Sequence, residues 1–169
     1  MAGSRKAGPR PSDVTIHGTA IEQVPIEALL PYAMNARTHS DEQVAQIAAS
    51  MWEFGWTNPC LIDGDNTLIA GHGRIMAARR LGLTHAPCIR VTGLSPAQRR
   101  ALVLADNQLA LNAGWNEDVL AAELARLRED DFDLDLVGFD ADEVARLLDD
   151  SPPDVPDDGA HGSLTERFG

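Results

Sequence analysis

The chain has 169 residues, 44% of them hydrophobic, which suits one compact domain of roughly 100–150 residues with additional tails. No apolar stretch approaches the ~20 residues of a membrane-spanning helix, and the N-terminus lacks the apolar region of a signal peptide, so we expect a cytoplasmic protein without a membrane partner. The net charge is -12, but residues 117–169 hold 17 acidic and 4 basic residues, whereas residues 1–116 hold 9 and 10. A broad DNA-binding face is therefore not expected, although the first segment can still meet an anionic ligand.

The first predicted elements follow an N-terminal tail. Residues 1–18 are rich in Gly, Pro, Ser and Arg and are expected to be disordered. A short strand is expected around Val24. Ser40 and Gln43 have the spacing of a capping box, which predicts the start of an amphipathic helix that ends at Gly55.

A hairpin, a second helix and a further strand are predicted next. The segments Cys60–Ile62 and Thr67–Ala70 read as two strands, because the Gly-Asp-Asn sequence between them is typical of a tight turn. The second helix is predicted over 74–81 and ends at Gly82. The sequence HAPCIRVTG then indicates another buried strand.

The remainder of the chain is predicted to be helical up to a Pro- and Asp-rich end. Ser95 and Pro96 begin a third helix that reaches about Leu111, while Asn116 and Asp140 are expected to cap a fourth and a fifth. The order of elements predicts a small α+β domain with a short acidic helical extension. We divide the chain into a tail, this domain, the extension and a linker or tail, which cover residues 1–18, 19–115, 116–150 and 151–169.

The sequence Gly-His-Gly-Arg at residues 71–74 lies where a strand hands over to the second helix. The first N–H groups of a helix have no intrahelical partner and its dipole is positive there, so this end favours an anion. Gly71 and Gly73 would let the backbone approach a ligand, and Arg74 offers a fork of donors for phosphate oxygens. The alternative is an ordinary turn whose Arg74 points into solvent, since the spacing matches neither a Walker loop nor a dinucleotide fingerprint.

The segment from His39 to Val91 resembles the N-terminal domain of the chromosome-partitioning ParB proteins, within the ParB/sulfiredoxin-like fold. The shared layout is a helix ending at Gly55, a strand that opens with Pro59, a hairpin that runs into the pattern I-x-G-x-x-R-x-x-A, and a helix closed by Leu-Gly. The resemblance covers residues 20–112 and implies a mixed sheet with packed helices. In that family the box holds the triphosphate of a nucleotide, CTP or ATP, which implies phosphate contacts from Gly71, His72, Gly73 and Arg74.

A second box of the family, E-N-x-x-R, corresponds to ADNQLAL in this chain. Asp106 stands for the Glu and Asn107 matches the Asn, so the resemblance implies that Mg²⁺ bridges the phosphates to these two residues. The Arg of the box falls on Ala110, and the loss of this contact leaves triphosphate binding weakened, altered or absent. The family's early loop arginine corresponds to Arg37.

The residues that could carry catalysis are His72, Asp106 and the two cysteines. Sulfiredoxins carry a catalytic Cys in a G-C-H-R box, but here His72 takes the Cys position. Cys60 and Cys88 lie in predicted strands as buried free thiols, so sulfiredoxin activity is not expected. Other members of the superfamily are ATPases, nucleases or free-serine kinases, for which His72 and Asp106 are the candidate catalytic residues. A simple phosphate contact is the alternative role for His72.

The C-terminal segment departs from the partitioning proteins, which continue into a DNA-reading helix-turn-helix. Its predicted helices carry three arginines among many carboxylates, so we interpret it as a packed acidic subdomain instead. Such extensions follow the ParB-like domains at the front of phage and mobile-element DNA methyltransferases, and the sequence GSLTERFG resembles the start of a further segment. The resemblance implies that the chain is either a natural short version or a fragment of such a protein. The core stripe of the subdomain is expected at Val119, Leu120, Leu124 and Leu127.

The three tryptophans, Trp52, Trp56 and Trp115, are interpreted as structural, and Trp52 is the best surface candidate among them.

Three functions fit these features. The first is a nucleotide-phosphate-binding accessory domain of a DNA-transacting system, linked to a DNA methyltransferase through which it meets DNA. The second is a stand-alone nucleoside triphosphatase, nuclease or small-molecule kinase that uses the same pocket. The third is a protein-interaction module with a decayed pocket, whose acidic C-terminal region meets a basic partner. The chain contains no methyltransferase core, and whether it forms a homodimer stays open.

Overall fold

The computed structural model describes residues 14–33, 35 and 38–149. They form two compact units, of which the first ends at Leu111 and the second begins at Asn112. In this part of the chain, every helix is too short or too polar to cross a membrane. The architecture is mixed α+β, as the sequence predicts.

The first unit is built on a four-stranded mixed sheet. Its strands are β1 Glu22–Pro25, β2 Cys60–Ile62, β3 Leu68–Ala70 and β4 His85–Arg90. The spatial order is β1-β4-β2-β3, with β2 and β4 parallel and the other two pairs antiparallel. The predicted hairpin is confirmed as β2 and β3, although its second strand begins at Leu68. An isolated parallel bridge between Leu30 and Thr67 brings the preceding segment beside the hairpin.

The described residues form five α-helices: α1 Asp41–Phe54, α2 His72–Arg80, α3 Pro96–Asn112, α4 Glu117–Glu129 and α5 Ala141–Asp149. Local signals set their ends. The Ser40 hydroxyl accepts a hydrogen bond from the N–H of Gln43, whose side chain accepts one from the N–H of Ser40, so the predicted capping box is confirmed. Gly55 follows α1 with a φ of 79°, a conformation that favours glycine.

The two faces of the sheet bury different sets of side chains. Because side chains alternate along a strand, Cys60 and Ile62 of β2 pack with Ile75 of α2 in the main core. On the opposite face, Ile69 of β3 packs with Val103 of α3. Helix α1 packs against α2 through a smaller cluster of Val44, Ala48 and Ala77. The loop that joins β3 to α2 therefore has α1 on one side and α3 within reach on the other.

The second unit has its own small core. Ala121, Leu124 and Leu147 are buried there, and the predicted caps Asn116 and Asp140 accept hydrogen bonds from the N–H groups of Val119 and Glu143. The expectation that Val119 belongs to this core is wrong, since the side chain is 51% exposed. Ala121 on the same helix is buried instead, two residues further along.

Only one of the three tryptophans anchors a loop as expected. The indole Nε1 of Trp56 donates to the carbonyl of Asn58, and the ring packs against the main core. Trp52 and Trp115 are 81% and 70% exposed, so Trp52 lies at the surface as its selection as the best surface candidate predicts. Trp115 makes an edge contact with Phe139, with ring centroids 5.5 Å apart.

Candidate functional site

The turn between β3 and α2 starts the helix earlier than the sequence predicts. Gly71 is the N-cap, with left-handed φ and ψ of 105° and 18°, and its carbonyl accepts the first helical bond from the N–H of Ile75 at 3.0 Å. Helix α2 therefore begins at His72 and not near residue 74. Arg74 lies inside the first turn, together with the N–H groups of His72 and Gly73 that have no intrahelical acceptor.

Contacts inside the protein account for both glycines of the turn. A Cβ on Gly71 would lie 2.5 Å from Sγ of Cys60, and a Cβ on Gly73 would lie 2.9 Å from both Cε1 of His39 and Cδ1 of Ile47. Such distances are well inside van der Waals contact. The glycines thus let α2 approach β2 and α1 closely, and their predicted approach to a ligand stays a prediction.

The guanidinium of Arg74 is fixed beside this turn. Its Nη1 donates to the carbonyls of Asn58 and Pro59 at 2.8 and 3.1 Å, and Nη2 faces Gly71. The side chain is half-buried, so the alternative interpretation, in which Arg74 points into solvent, is wrong. Two carbonyl acceptors orient the group without neutralising it, so a full positive charge stands at the positive end of α2.

One cavity of about 150 Å³, here named the turn cavity, joins the two predicted boxes. Its lining includes Gly71, His72, Gly73, Arg74, Asp106 and Asn107. Asn35 and His39, which the sequence analysis did not select, contribute as well. Both residues reach the cavity only through the folding of the chain, and their spacing in the sequence does not predict it. Arg37 lies outside the described residues.

His72 connects α2 to the segment before α1. Its Nε2 accepts a hydrogen bond from the main-chain N–H of Tyr32 at 3.4 Å, which assigns the ring proton to Nδ1. Burial lowers the pKa of His72 below 6.5, and the neighbouring His39 lowers it further. The imidazole is therefore neutral at pH 7 and its Nε2 lone pair is occupied.

Asp106 and Asn107 reach the turn cavity from α3. The Asp106 carboxylate is exposed, and the Asn107 side-chain N–H donates to the carbonyl of Val103 at 2.8 Å. Among the described residues, no three His, Cys, Asp or Glu side chains gather as metal ligands. One carboxylate and one amide oxygen suit Mg²⁺, which keeps several waters and takes its other ligands from phosphates. Ala110, at the position of the family's arginine, is exposed.

A larger and more apolar cavity of about 350 Å³, the adjoining cavity, shares Asn35, His39 and His72 with the turn cavity. The rest of its lining is Leu29, Pro31, Tyr32, Leu68, Ile75, Met76 and Arg79. His72 lines both spaces. A ligand with a charged end and a flat apolar end could use both.

The two cysteines are buried free thiols, as expected from the sequence. Burial raises the pKa of Cys60 to about 12, and the nearby Arg74 only partly opposes this. Burial also raises the pKa of Cys88. A reactive cysteine needs a lowered pKa, so neither thiol provides nucleophilic chemistry at neutral pH.

A buried ion pair next to the hairpin was missed by the sequence analysis. Asp63 is 5% exposed, and its Oδ1 accepts from the N–H groups of Asp65 and Thr67 at 2.8 and 2.9 Å while its Oδ2 pairs with Arg99. The hydrogen bonds within the turn were recognisable from an Asp that directly follows a strand. The Arg99 contact, 36 residues away, was not.

Comparison with known proteins gives two matches to protein families. The family model described as the ParB N-terminal domain matches residues 10–108. A second family model, described as the ParB-methyltransferase HTH domain, matches residues 118–163. One relative, the ParB-like nuclease domain-containing protein YnaK of Escherichia coli strain K12, is 54% identical over 76 residues, which are 45% of this chain and 87% of that protein.

Comparison with solved structures shows the same fold in one chromosome-partitioning protein. C-terminally truncated chromosome-partitioning protein ParB from Caulobacter crescentus, complexed with CTP-γ-S, aligns with a TM-score of 0.62 and 22% identity over 76% of this chain and 77% of that chain. Sulfiredoxin from Arabidopsis thaliana aligns with a TM-score of 0.43 and 23% identity, over 49% of this chain and 97% of the other.

The second family match contradicts our interpretation of the C-terminal segment as an extension in place of a helix-turn-helix. That interpretation rested on the acidic surface of the helices. A helix-turn-helix is defined by how its helices pack, which depends on buried residues such as Leu124 and Leu147 and not on surface charge. The end of the match, from residue 150 onward, lies outside the described residues.

Proposed function

Because the chain belongs to the ParB N-terminal domain family, we propose that its first unit binds the triphosphate of a nucleotide, with Mg²⁺, at the N-terminus of α2. The observation that carries the proposal is the turn cavity. It gathers the first-turn N–H groups of α2, the Arg74 guanidinium and the Asp106 carboxylate around one space. Amides and a guanidinium fit phosphate oxygens, and a carboxylate fits the metal that accompanies them.

Arg74 is well prepared for this role. Because two main-chain carbonyls already hold its Nη1, the side chain loses little conformational freedom when an anion arrives. The remaining N–H donors of the guanidinium lie on the side of Gly71 and the helix end. With alanine at position 110, the arginine of the family's second box does not assist, and we propose that Arg37, the counterpart of the early loop arginine, contacts the phosphates as well. The bound metal then supplies a larger share of the charge that balances the triphosphate.

The adjoining cavity supports a nucleotide over a bare polyphosphate. Its apolar lining, with Leu29, Tyr32 and Met76, suits a ribose and a base, and it shares His72 with the turn cavity. CTP is the first nucleotide to test, since a CTP analogue accompanies the ParB of Caulobacter crescentus. ATP and GTP are the comparisons.

Calorimetric titration of the full chain with CTP, ATP and GTP, each with Mg²⁺, tests the proposal. We expect heat with at least one nucleotide, and a loss of affinity of about 10- to 100-fold in Arg74→Ala, as for a hydrogen bond to a charged group. Arg80→Ala is the matched control, because Arg80 is an exposed arginine at the end of the same helix. Absence of heat with all three nucleotides would reject nucleotide binding and leave the nuclease, tested below, and the interaction module with a decayed pocket.

We also propose that the protein serves a DNA-associated system together with a DNA methyltransferase. The match of residues 118–163 to the ParB-methyltransferase HTH domain supports this link. Residues 117–149 hold twelve acidic and three basic residues, so we expect the methyltransferase to provide most of the DNA contact. Neighbouring genes are the direct check: a methyltransferase coding region next to this one, or in frame with it, is the expected finding.

A nuclease is the second candidate, because the 54% identical relative is named for a ParB-like nuclease domain. His72 and Asp106 are then the candidate catalytic residues in the turn cavity. Incubation of labelled single- and double-stranded DNA with the protein and Mg²⁺ or Mn²⁺ tests it. Cleavage that is lost in Asp106→Asn and kept in Asp118→Asn would support the nuclease, and intact DNA would reject it. Phosphate release from CTP and ATP, measured in parallel, tests a nucleoside triphosphatase.

A further inference from the structure

His72 lies at the N-terminus of α2, where a bound anion would favour the protonated form of its ring over the neutral form. It is the first residue of α2, it is half-buried, and it lines both the turn cavity and the adjoining cavity. In the structure its Nε2 accepts the N–H of Tyr32, a long bond of 3.4 Å. A protonated ring cannot accept, so this contact exists only while His72 is neutral.

The charged and titratable groups around His72 come from every neighbouring element. His39 precedes α1, Tyr32 precedes it further upstream, Arg74 and Arg79 belong to α2, and Asp106 belongs to α3. In the described part of the chain, no ion pair or hydrogen bond joins His72 to any carboxylate. The helix dipole and the two arginines disfavour a positive ring, and the only carboxylate among these groups is exposed.

A triphosphate would reverse this balance. It brings several negative charges to the end of α2, where they offset Arg74 and the helix dipole. We propose that a triphosphate in the turn cavity is bound together with one proton, which His72 takes up from solvent on Nε2, releasing the main chain of Tyr32 and donating to a phosphate oxygen. The inference rests on the proposed function and adds its regulation by pH. The bond that breaks is the weak Tyr32 contact, and the bond that forms is charge-assisted.

The sign of the pH dependence follows from linkage. Burial and His39 lower the pKa of His72 in the free protein, whereas the bound phosphates raise it. Affinity is therefore highest below the free-state pKa and falls as the pH rises through the bound-state pKa. Ligand binding thus releases the main-chain N–H of Tyr32 from α2.

The test is calorimetric titration of the full chain with CTP and with inorganic triphosphate, both with Mg²⁺, from pH 6 to pH 8.5 and in two buffers of different ionisation heat. We expect the native protein to take up a proton when it binds either ligand. Its affinity should fall as the pH rises, and this fall should be steeper than that of His72→Gln by up to about tenfold per pH unit. The terminal phosphate of CTP titrates near pH 6 in both proteins, so the difference between them isolates His72. His85→Gln, an exposed histidine on β4 outside these cavities, is the matched control and should behave like the native protein.

If His72→Gln fails to fold, a measurement on the native protein alone can still reject the inference. Long-range ¹⁵N–¹H spectra should show His72 as the Nδ1–H tautomer without ligand and doubly protonated with Mg-CTP at pH 7. An Nε2–H tautomer in the free protein, or binding with no difference between native and His72→Gln, would overturn the inference and leave the proposed function intact. Failure of both ligands to bind at every pH would overturn the two together.

Discussion

The carboxylate of Asp63 and the guanidinium of Arg99 form an ion pair that joins the end of β2 to the first turn of α3. Two main-chain N–H groups of the hairpin turn complete the coordination of the same carboxylate. Arg90 supports the turn from β4, since its Nη1 donates to the carbonyl of Asp63 at 2.7 Å and its Nη2 to the side chain of Asn66 at 2.9 Å. The hairpin turn is thus held from two elements at once.

Replacement of Asp63 should therefore destabilise the fold. In Asp63→Asn, the buried site keeps its shape but Arg99 loses its counter-charge, and we expect unfolding to become easier by about 2–4 kcal/mol. Urea denaturation followed by circular dichroism measures the change. Asp65→Asn is the matched control in the same turn, because Asp65 is exposed, and it should change the stability by less than about 1 kcal/mol. Equal losses in both variants would contradict the role of the ion pair.

The same carboxylate predicts an acid-sensitive stability. Burial by itself raises the pKa of Asp63, but hydrogen bonds from Thr67 and Asp65 and the Arg99 guanidinium outweigh it, so the pKa lies below 3.8. A group with a lowered folded-state pKa contributes stability above its unfolded pKa and loses it as the pH falls through the folded one. We expect the stability difference between native protein and Asp63→Asn to be constant from pH 5 to pH 7 and to shrink below about pH 4. A difference that persists at pH 2.5 would argue against ionisation as its source.

Gly71→Ala should be more damaging than an alanine at another left-handed glycine. Alanine at position 71 meets both the strained φ of 105° and the Cys60 thiol, whereas Gly82 has a φ of 73° and open space. We expect about 1 kcal/mol for Gly82→Ala, from backbone strain alone, and at least twice that for Gly71→Ala. Adding Cys60→Ala to Gly71→Ala should recover part of the loss, which a double-mutant cycle in urea would show. Additive losses would mean that the thiol does not matter.

The thiols should report on unfolding. With the pKa of Cys60 raised to about 12 and both sulfurs buried, we expect negligible reaction of the native protein with a disulfide reagent at pH 7. Two thiols per chain should react once urea unfolds the first unit. Rapid modification of the native protein at the rate of free cysteine would contradict the packing of Cys60 beneath Gly71.

Met76→Ala should separate the two cavities. Met76 lines the adjoining cavity and not the turn cavity, so its truncation should weaken binding of Mg-CTP by about 3- to 10-fold and leave inorganic triphosphate unaffected. Leu83→Ala, which also shortens an exposed apolar side chain but lies outside these cavities, is the control. Equal effects on both ligands would place the nucleoside elsewhere.

Local signals explain how much of the fold was predictable. Ser40 with Gln43, Asn116 and Asp140 were identified as caps because each helix end needs an acceptor within three residues, and the structure confirms these caps. The start of α2 was misplaced by two residues, since no side chain caps it and the signal there is the conformation of Gly71.

The candidate site was predictable only where it is continuous in sequence or matched by a family pattern. Residues 71–74 and the Asp106–Asn107 pair were found in these ways. His39 was not, because it reaches Gly73 through the packing of α1 against α2. Arg99 escaped for the same reason, since its partner lies 36 residues earlier. Contacts of this kind become visible only when the chain is folded.

The position of Arg99 has a consequence for the acidic side of the turn cavity. Asp106 follows Arg99 on α3 by seven residues, about 10 Å along the helix axis. The ion pair fixes the first turn of α3 to the hairpin turn. The rigid helix can therefore hold the Asp106 carboxylate beside the start of α2, although Asp106 is not itself bound to the hairpin turn. We therefore expect an insertion into the hairpin turn to displace the Asp106 carboxylate, two helical turns away, although every residue that lines the turn cavity would be unchanged.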